Sequence, residues 1–316
     1  MVTHHGGTGS ASADLDASLF PPALDRTKPR YHFFDEVEQY RLKVQRFSSV
    51  PCEVTIQRIS FERDQASYLS AADRGFGNVP SARATRDPNR KPDEESIERS
   101  QRRAKTAVRL RVTELAPSAL VTFTTRKTYS LQDLASIWAR FVRIASKLDA
   151  SLAYVCVPEP HPSNPEHLHL HAATRGKISR STMRRLWHIA LEGHEGRRVT
   201  KTLRGAESPG NIDEQPIKNR DVVKRIRKIG RYISKYITKD LLEVFNKRRY
   251  WPSKGINLQA AQVFWLDSVS QVDAIREGCE MLGHWQDLAP AFKLFRPSDR
   301  VAWYAVDPDQ IPEPPF

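Results

Sequence analysis

Two short stretches hold residues whose types and spacing could do chemistry. In HLHLH, His167, His169 and His171 recur at every second position, so on a β-strand all three imidazoles project from one face while Leu168 and Leu170 turn to the other. Neutral imidazole is a common ligand of divalent cations, and two on one strand face can share an ion. In YISKYITK, Tyr232 and Tyr236 lie one helical turn apart, and each is followed three residues later by a lysine, Lys235 and Lys239. A phenol is a weak nucleophile until it loses its proton. A lysine or a metal beside it would suit transfer of a phosphodiester to the tyrosine oxygen, with the metal polarising the non-bridging oxygens. The plainer readings are a polar strand face whose histidines meet water, and two amphipathic tyrosines bordering a core.

The elements that must position these residues are legible as periodicities. Around Ile229, steps of about 100° gather Ile226, Ile233, Ile237, Leu241 and Val244 into one stripe of a helix over residues 220–245. Tyr232 and Tyr236 fall on its margin, with Lys239, Lys228 and Lys235 farther toward the basic side. Strands are expected at AVRLRVTEL (107–115), SALVTFTTR (118–126), SLAYVCVPE (151–159), HLHLHAAT (167–174) and RVTKTL (198–203), with PHPSNPEH as a loop. Two Ser-capped helices are expected, over SLQDLASIWARFVRIASKL and SRSTMRRLWHIAL. Helices interleaved with adjacent strands imply an α+β fold around an antiparallel sheet.

The chain divides accordingly. Residues 1–30 read as a disordered tail, and 31–110 as an N-terminal segment with a charged flexible insertion over about 62–105. Residues 111–256 carry the motifs. Residues 257–316 form a C-terminal extension of unknown role, with a strand at AQVFWL and a helix at VDAIREGCEML.

Of 316 residues, 39% are hydrophobic, enough for a genuine core. The net charge of +13 is local. Residues 175–250 hold 21 lysines and arginines against 8 acids, a surplus equal to that of the whole chain. A nucleic acid is the natural partner of such a segment. Lys224, Arg225, Lys228, Arg231, Arg248, Arg249 and Lys254 would meet phosphates, and Tyr250 and Trp251 would either stack on unpaired bases or anchor the helix end. Three scattered cysteines argue against a disulfide framework or a thiolate metal centre, and for a reducing, cytoplasmic setting. No apolar run is long enough for a membrane helix, and no GxxxxGK[ST] phosphate loop is present.

Taken in order, these motifs resemble those of the HUH endonucleases, and more closely the two-tyrosine rolling-circle replication initiators of single-stranded DNA phages and related plasmids. The resemblance spans roughly residues 117–256. It rests on the TFT-containing strand at 121–125, HLHLHAA, RYISKYITK and RRYWPSKGI. It implies an RRM-like antiparallel sheet, dependence on Mg²⁺ or Mn²⁺, and nicking and rejoining of single-stranded or extruded origin DNA through a covalent 5′-phosphotyrosine. Carried onto this sequence, His169 and His171 are the metal pair, because small apolar residues follow His171, and His167 is an extra candidate on the same face. Glu159 would complete the site, with Glu166 behind it. Tyr232 and Tyr236 are the nucleophiles, assisted by Lys235 and Lys239. His161, His188 and His194 read as ordinary surface or helix histidines. Without a helicase motif of its own, such a protein would rely on a host helicase and replication machinery, in a bacterial cytoplasm. A transposase or plasmid-mobilisation nuclease would share the chemistry. A non-catalytic RRM-like module would instead need exposed aromatics on its central strands.

Overall fold

The computed structural model describes residues 39–59, 94–216, 222–237, 250–268, 270–282, 295–297 and 301–306. Among these the chain is α+β, with two antiparallel sheets and five α-helices. Lys239, Arg248, Arg249, Leu241, Val244 and the expected N-terminal tail lie outside the described residues.

The central sheet is built from β3 (Ala119–Thr125), β4 (Ala153–His161), β5 (Asn164–Arg175), β6 (Gly210–Pro216) and the short β7 (Trp251–Pro252), in the order β6-β3-β5-β4-β7. Helix α2 (Leu131–Leu148) joins β3 to β4, and α3 (Arg180–His194) joins β5 to β6. A β-α-β-β-α-β path through that strand order is the RRM-like arrangement. Both helices start where serine caps were expected: the Oγ of Ser130 and Ser179 accept from the amides of Asp133 and Thr182. They cover one sheet face, where Phe123 meets Trp138, Phe141 and Trp187 edge-on at centroid distances of 5.1–5.2 Å.

The opposite face is covered as well. Helix α1 (Glu94–Leu115) and helix α4 (Val222–Lys235) lie side by side over Leu120, Val155, Val157 and Ala173, with Val108, Val112, Leu115, Ile233 and Ile237 closing the contact. Two expectations fail here. Residues 107–115 are helix rather than strand, and 94–105 belong to that helix rather than to a flexible insertion. The alternation in AVRLRV also satisfies a spacing of four and three at Val108, Val112 and Leu115, and the uncovered sheet face selects the helical reading. At the crossing, a Cβ on Gly230 would stand 3.3 Å from the Arg109 carbonyl oxygen, so the missing side chain sets how closely α4 approaches α1.

Two further expectations are corrected. The loop PHPSNPEH contracts to a turn at Pro162 and Ser163, because β4 runs to His161 and β5 starts at Asn164. RVTKTL is not a strand; the edge strand is β6, which pairs Asn211–Pro216 with Thr124–Ala119 of β3. Trp187 Nε1 donates to the Thr124 carbonyl, and the buried His188 ring lies 2.9 Å from the Gly210 carbonyl, fixing the start of β6.

The second sheet unites the two ends of the chain. β1 (Gln39–Gln45) and β2 (Cys52–Ile59) form a hairpin flanked by β8 (Gln262–Leu266) and β10 (Val301–Val306), with β9 (Phe295–Pro297) outermost. Helix α5 (Gln271–Met281) packs on it through Ala274 and Cys279. The strand and helix expected in the extension are therefore present, and their partner is the N-terminal segment. The sheets are tied through buried Glu53, whose carboxylate accepts from Arg109 Nη1 at 2.6 and 2.7 Å and lies 3.7 Å from Arg227 Nε of α4. The Arg227 guanidinium also donates to the Pro51 carbonyl and lies over the Trp303 ring.

Candidate active site

The site grows from strand parity. On β5, Leu168, Leu170 and Ala172 enter the core beneath α2 and α3, so His167, His169, His171 and Ala173 face α1 and α4. Pairing then chooses the neighbours. Glu159 of β4 stands directly across from His169, and Thr122 of β3 directly across from His171.

The result is a compact cluster. One Glu159 carboxylate oxygen lies 2.5 Å from His171 Nε2 and 3.1 Å from His169 Nε2. Thr122 Oγ1 contacts His171 Nδ1 at 3.1 Å and orients that ring. Glu159, His169 and His171 are the one group among the described residues whose three ligand atoms lie close enough, within 4.8 Å of one another, to hold a metal ion. Two nitrogens and a carboxylate suit a hard or borderline divalent cation rather than a thiolate-seeking one, and the three cysteines are buried and apart from the cluster.

Burial prepares these groups for a cation. It pushes the Glu159 carboxyl up to about 7. It pushes His171 down to about 4, with His169 contributing, and lowers His169, with His161 and His167 contributing. Both imidazoles are therefore neutral near pH 7, as ligation requires. His167 is turned away: its Nε2 sits 2.9 Å from the Thr125 carbonyl, at the end of β3. Glu166 is exposed and stands outside the three-residue cluster. His161, read from the sequence as an ordinary histidine, borders the site with its ring 5.6 Å from that of His169.

The two tyrosines arrive from α4. Tyr232 lies in the helix and is 41% exposed. Tyr236 follows it in a tightened terminal turn, its amide bonding to the Ile233 carbonyl. The described helix thus ends at Lys235, although the spacing of the two phenols survives. Tyr236 stacks flat on His171, with centroids 4.2 Å apart and planes 12° from parallel, and Tyr232 meets Tyr236 edge-on at 5.0 Å. Burial, a hydrogen bond with Tyr232 and the nearby Glu159 charge all push the Tyr236 hydroxyl well above the usual phenol range.

Of the expected cations, Lys224, Lys228, Arg231, Lys235 and Lys254 are exposed, and Arg225 is half-buried. Tyr250 and Trp251 are half-buried against separate core clusters, so both anchor the fold. Thr122 is the contributor that sequence reasoning passed over. Its only signal was membership of the TFT strand.

Residues 118–241 match the model of a family of replication-associated proteins, described by its ORF2 member, a span from the start of β3 past both tyrosines. No curated protein and no solved structure matched the chain. No helix among the described residues is long and apolar enough to cross a membrane.

Proposed function

We propose that this protein initiates rolling-circle replication by nicking single-stranded or extruded origin DNA and later rejoining it, through a covalent 5′-phosphotyrosine. The observation that carries the reading is the stack of Tyr236 on His171, which sets two phenols beside the cluster of Glu159, His169 and His171. The match to a replication-associated family over the same residues supports it. An RRM-like module that binds through its sheet would need an open face with aromatics on its central strands. Here that face bears histidines and lies under α1 and α4.

Glu159, His169 and His171 would hold Mg²⁺ or Mn²⁺, which when bound polarises the phosphodiester oxygens. Thr122 keeps His171 in its ligating orientation. A tyrosine oxygen attacks phosphorus; the bond to the 3′ oxygen breaks, the phenol gives up its proton and the leaving oxygen gains one. Energy of the broken bond stays in the tyrosyl diester, ready for reversal by a 3′ hydroxyl. Tyr236 holds its proton firmly, so exposed Tyr232 is assigned the first cleavage and Tyr236 the second transfer. Lys235, with Lys239, would stabilise the developing charge. Lys224, Arg225, Lys228, Arg231, Arg248, Arg249 and Lys254 would hold phosphates, and Tyr250 and Trp251 would flank the strand.

The test is a denaturing gel of the purified protein with labelled single-stranded DNA from its own replicon, with Mn²⁺ or with chelator. A metal-dependent protein–DNA adduct should form, weaken most with Tyr232→Phe among the single changes, and vanish in Tyr232→Phe/Tyr236→Phe. Binding without cleavage under either metal, on a strand containing the origin, would leave a non-catalytic module.

A further inference from the structure

Helix α1 carries a surface that the nicking chemistry does not use. Arg99, Arg102, Arg103 and Arg111 border a groove of about 510 Å³ that also includes Leu110 and Leu258. Leu110 and Leu258 pack against the cluster of Phe47, Val50 and Ile226, so they form an apolar floor. Arg99, Arg102 and Arg103 stand exposed at the rim. No acidic residue lines the groove among the described residues. Arg102 reaches Glu98 at 3.8 Å, an exposed pair along the helix that water and salt screen.

The groove leads toward the tyrosines. The Arg111 guanidinium lies over the Tyr250 ring, 5.7 Å from its centroid. Tyr250 and Tyr236 pack on the same core cluster, and α1 touches α4 closely at Gly230. From Arg99 to Arg111 the helix advances about 18 Å, so the rim is an elongated row of cations.

We infer that this groove is a second track for single-stranded DNA, holding a segment apart from the one that reaches Tyr232 and Tyr236. The inference rests on the DNA-nicking reading above and adds a binding surface to it. An arginine rim neutralises phosphates, while an apolar floor and an adjoining aromatic ring accept the faces of unpaired bases. A duplex keeps those faces stacked inside and could use the rim alone. An acidic peptide would also need only the rim.

The experiment uses full-length Arg102→Gln/Arg103→Gln and, as a control with the same change in charge, Arg143→Gln/Lys147→Gln on exposed positions of α2, across the sheet. Glutamine is a good helix former, so both variants should melt with the wild type. Fluorescence anisotropy follows labelled oligothymidylate over a salt series without metal, with unlabelled oligothymidylate, its duplex with oligodeoxyadenylate, and polyglutamate as competitors. The groove variant should lose affinity, and its slope of log K against log salt should shrink by about 1.4, or about 0.7 for each lost phosphate contact. The control should keep the wild-type slope. Equal slopes in the two variants would overturn the track, as would displacement by duplex or polyglutamate as effective as by the single strand. Adduct formation is scored on the same preparations. Adduct with unchanged slopes would sink the groove alone, and a lost slope without adduct in the wild type would sink the nicking reading alone.

Discussion

A carboxyl sharing one oxygen between two neutral imidazoles is a proton store that a cation must empty. Between pH 5 and 7, Glu159 is the ligand whose charge changes, since its pKa is raised to about 7 whereas burial has already driven His171 to about 4. Protonated carboxyl disfavours the metal, so affinity should rise about tenfold per unit of pH up to about 7 and then level off. Calorimetric Mn²⁺ titrations across that range would show it, and a flat profile would mean that the carboxylate is not a ligand. Thr122 acts one step removed. Thr122→Val, which removes the hydroxyl facing His171 Nδ1, should weaken Mn²⁺ binding about tenfold, the lower end for loss of a group that orients a ligand. Electron paramagnetic resonance of free Mn²⁺ would report the change. The histidines were legible because a period of two is a local signal. Thr122 was not, since its role exists only after β3 pairs with β5.

Among the elements, α1 and α4 decide where the phenols stand. Gly230→Leu would push a branched side chain against the Arg109 backbone and separate the helices, at a cost of about 1–3 kcal/mol. The melting temperature by circular dichroism should fall and adduct formation should drop, while Mn²⁺ binding to β4 and β5 persists. Loss of metal binding as well would mean that α4 holds the cluster together. The tyrosine helix could be read from its isoleucine stripe, and α2 and α3 from their serine caps. α1 was misread because six residues of alternating character fit two periods, and only the bare sheet face discriminates. β6 gave little warning: GNIDEQP offers Ile212 as its one buried side chain, as befits an edge strand.

For the molecule as a whole, Glu53 is where the terminal sheet meets the helices above the site. Glu53→Ala removes the carboxylate that Arg109 and buried Arg227 both face, and should cost about 3–5 kcal/mol of stability, read as a lowered urea midpoint. A loss under about 1 kcal/mol would mean that water already screens the pair. Nothing local predicts this junction, since the terminal sheet pairs Tyr40 with Leu266. The same pairing bears on the order in which the protein can be made. On the ribosome the β1–β2 hairpin emerges first, and both of its edges stay bare until β8 and β10 have been synthesised. The strands that carry Glu159, His169 and His171 are complete long before that. A prematurely terminated chain would thus carry the metal ligands but lack the strand whose Trp303 lies under Arg227, and would show itself as an aggregation-prone product rather than as a rogue nuclease.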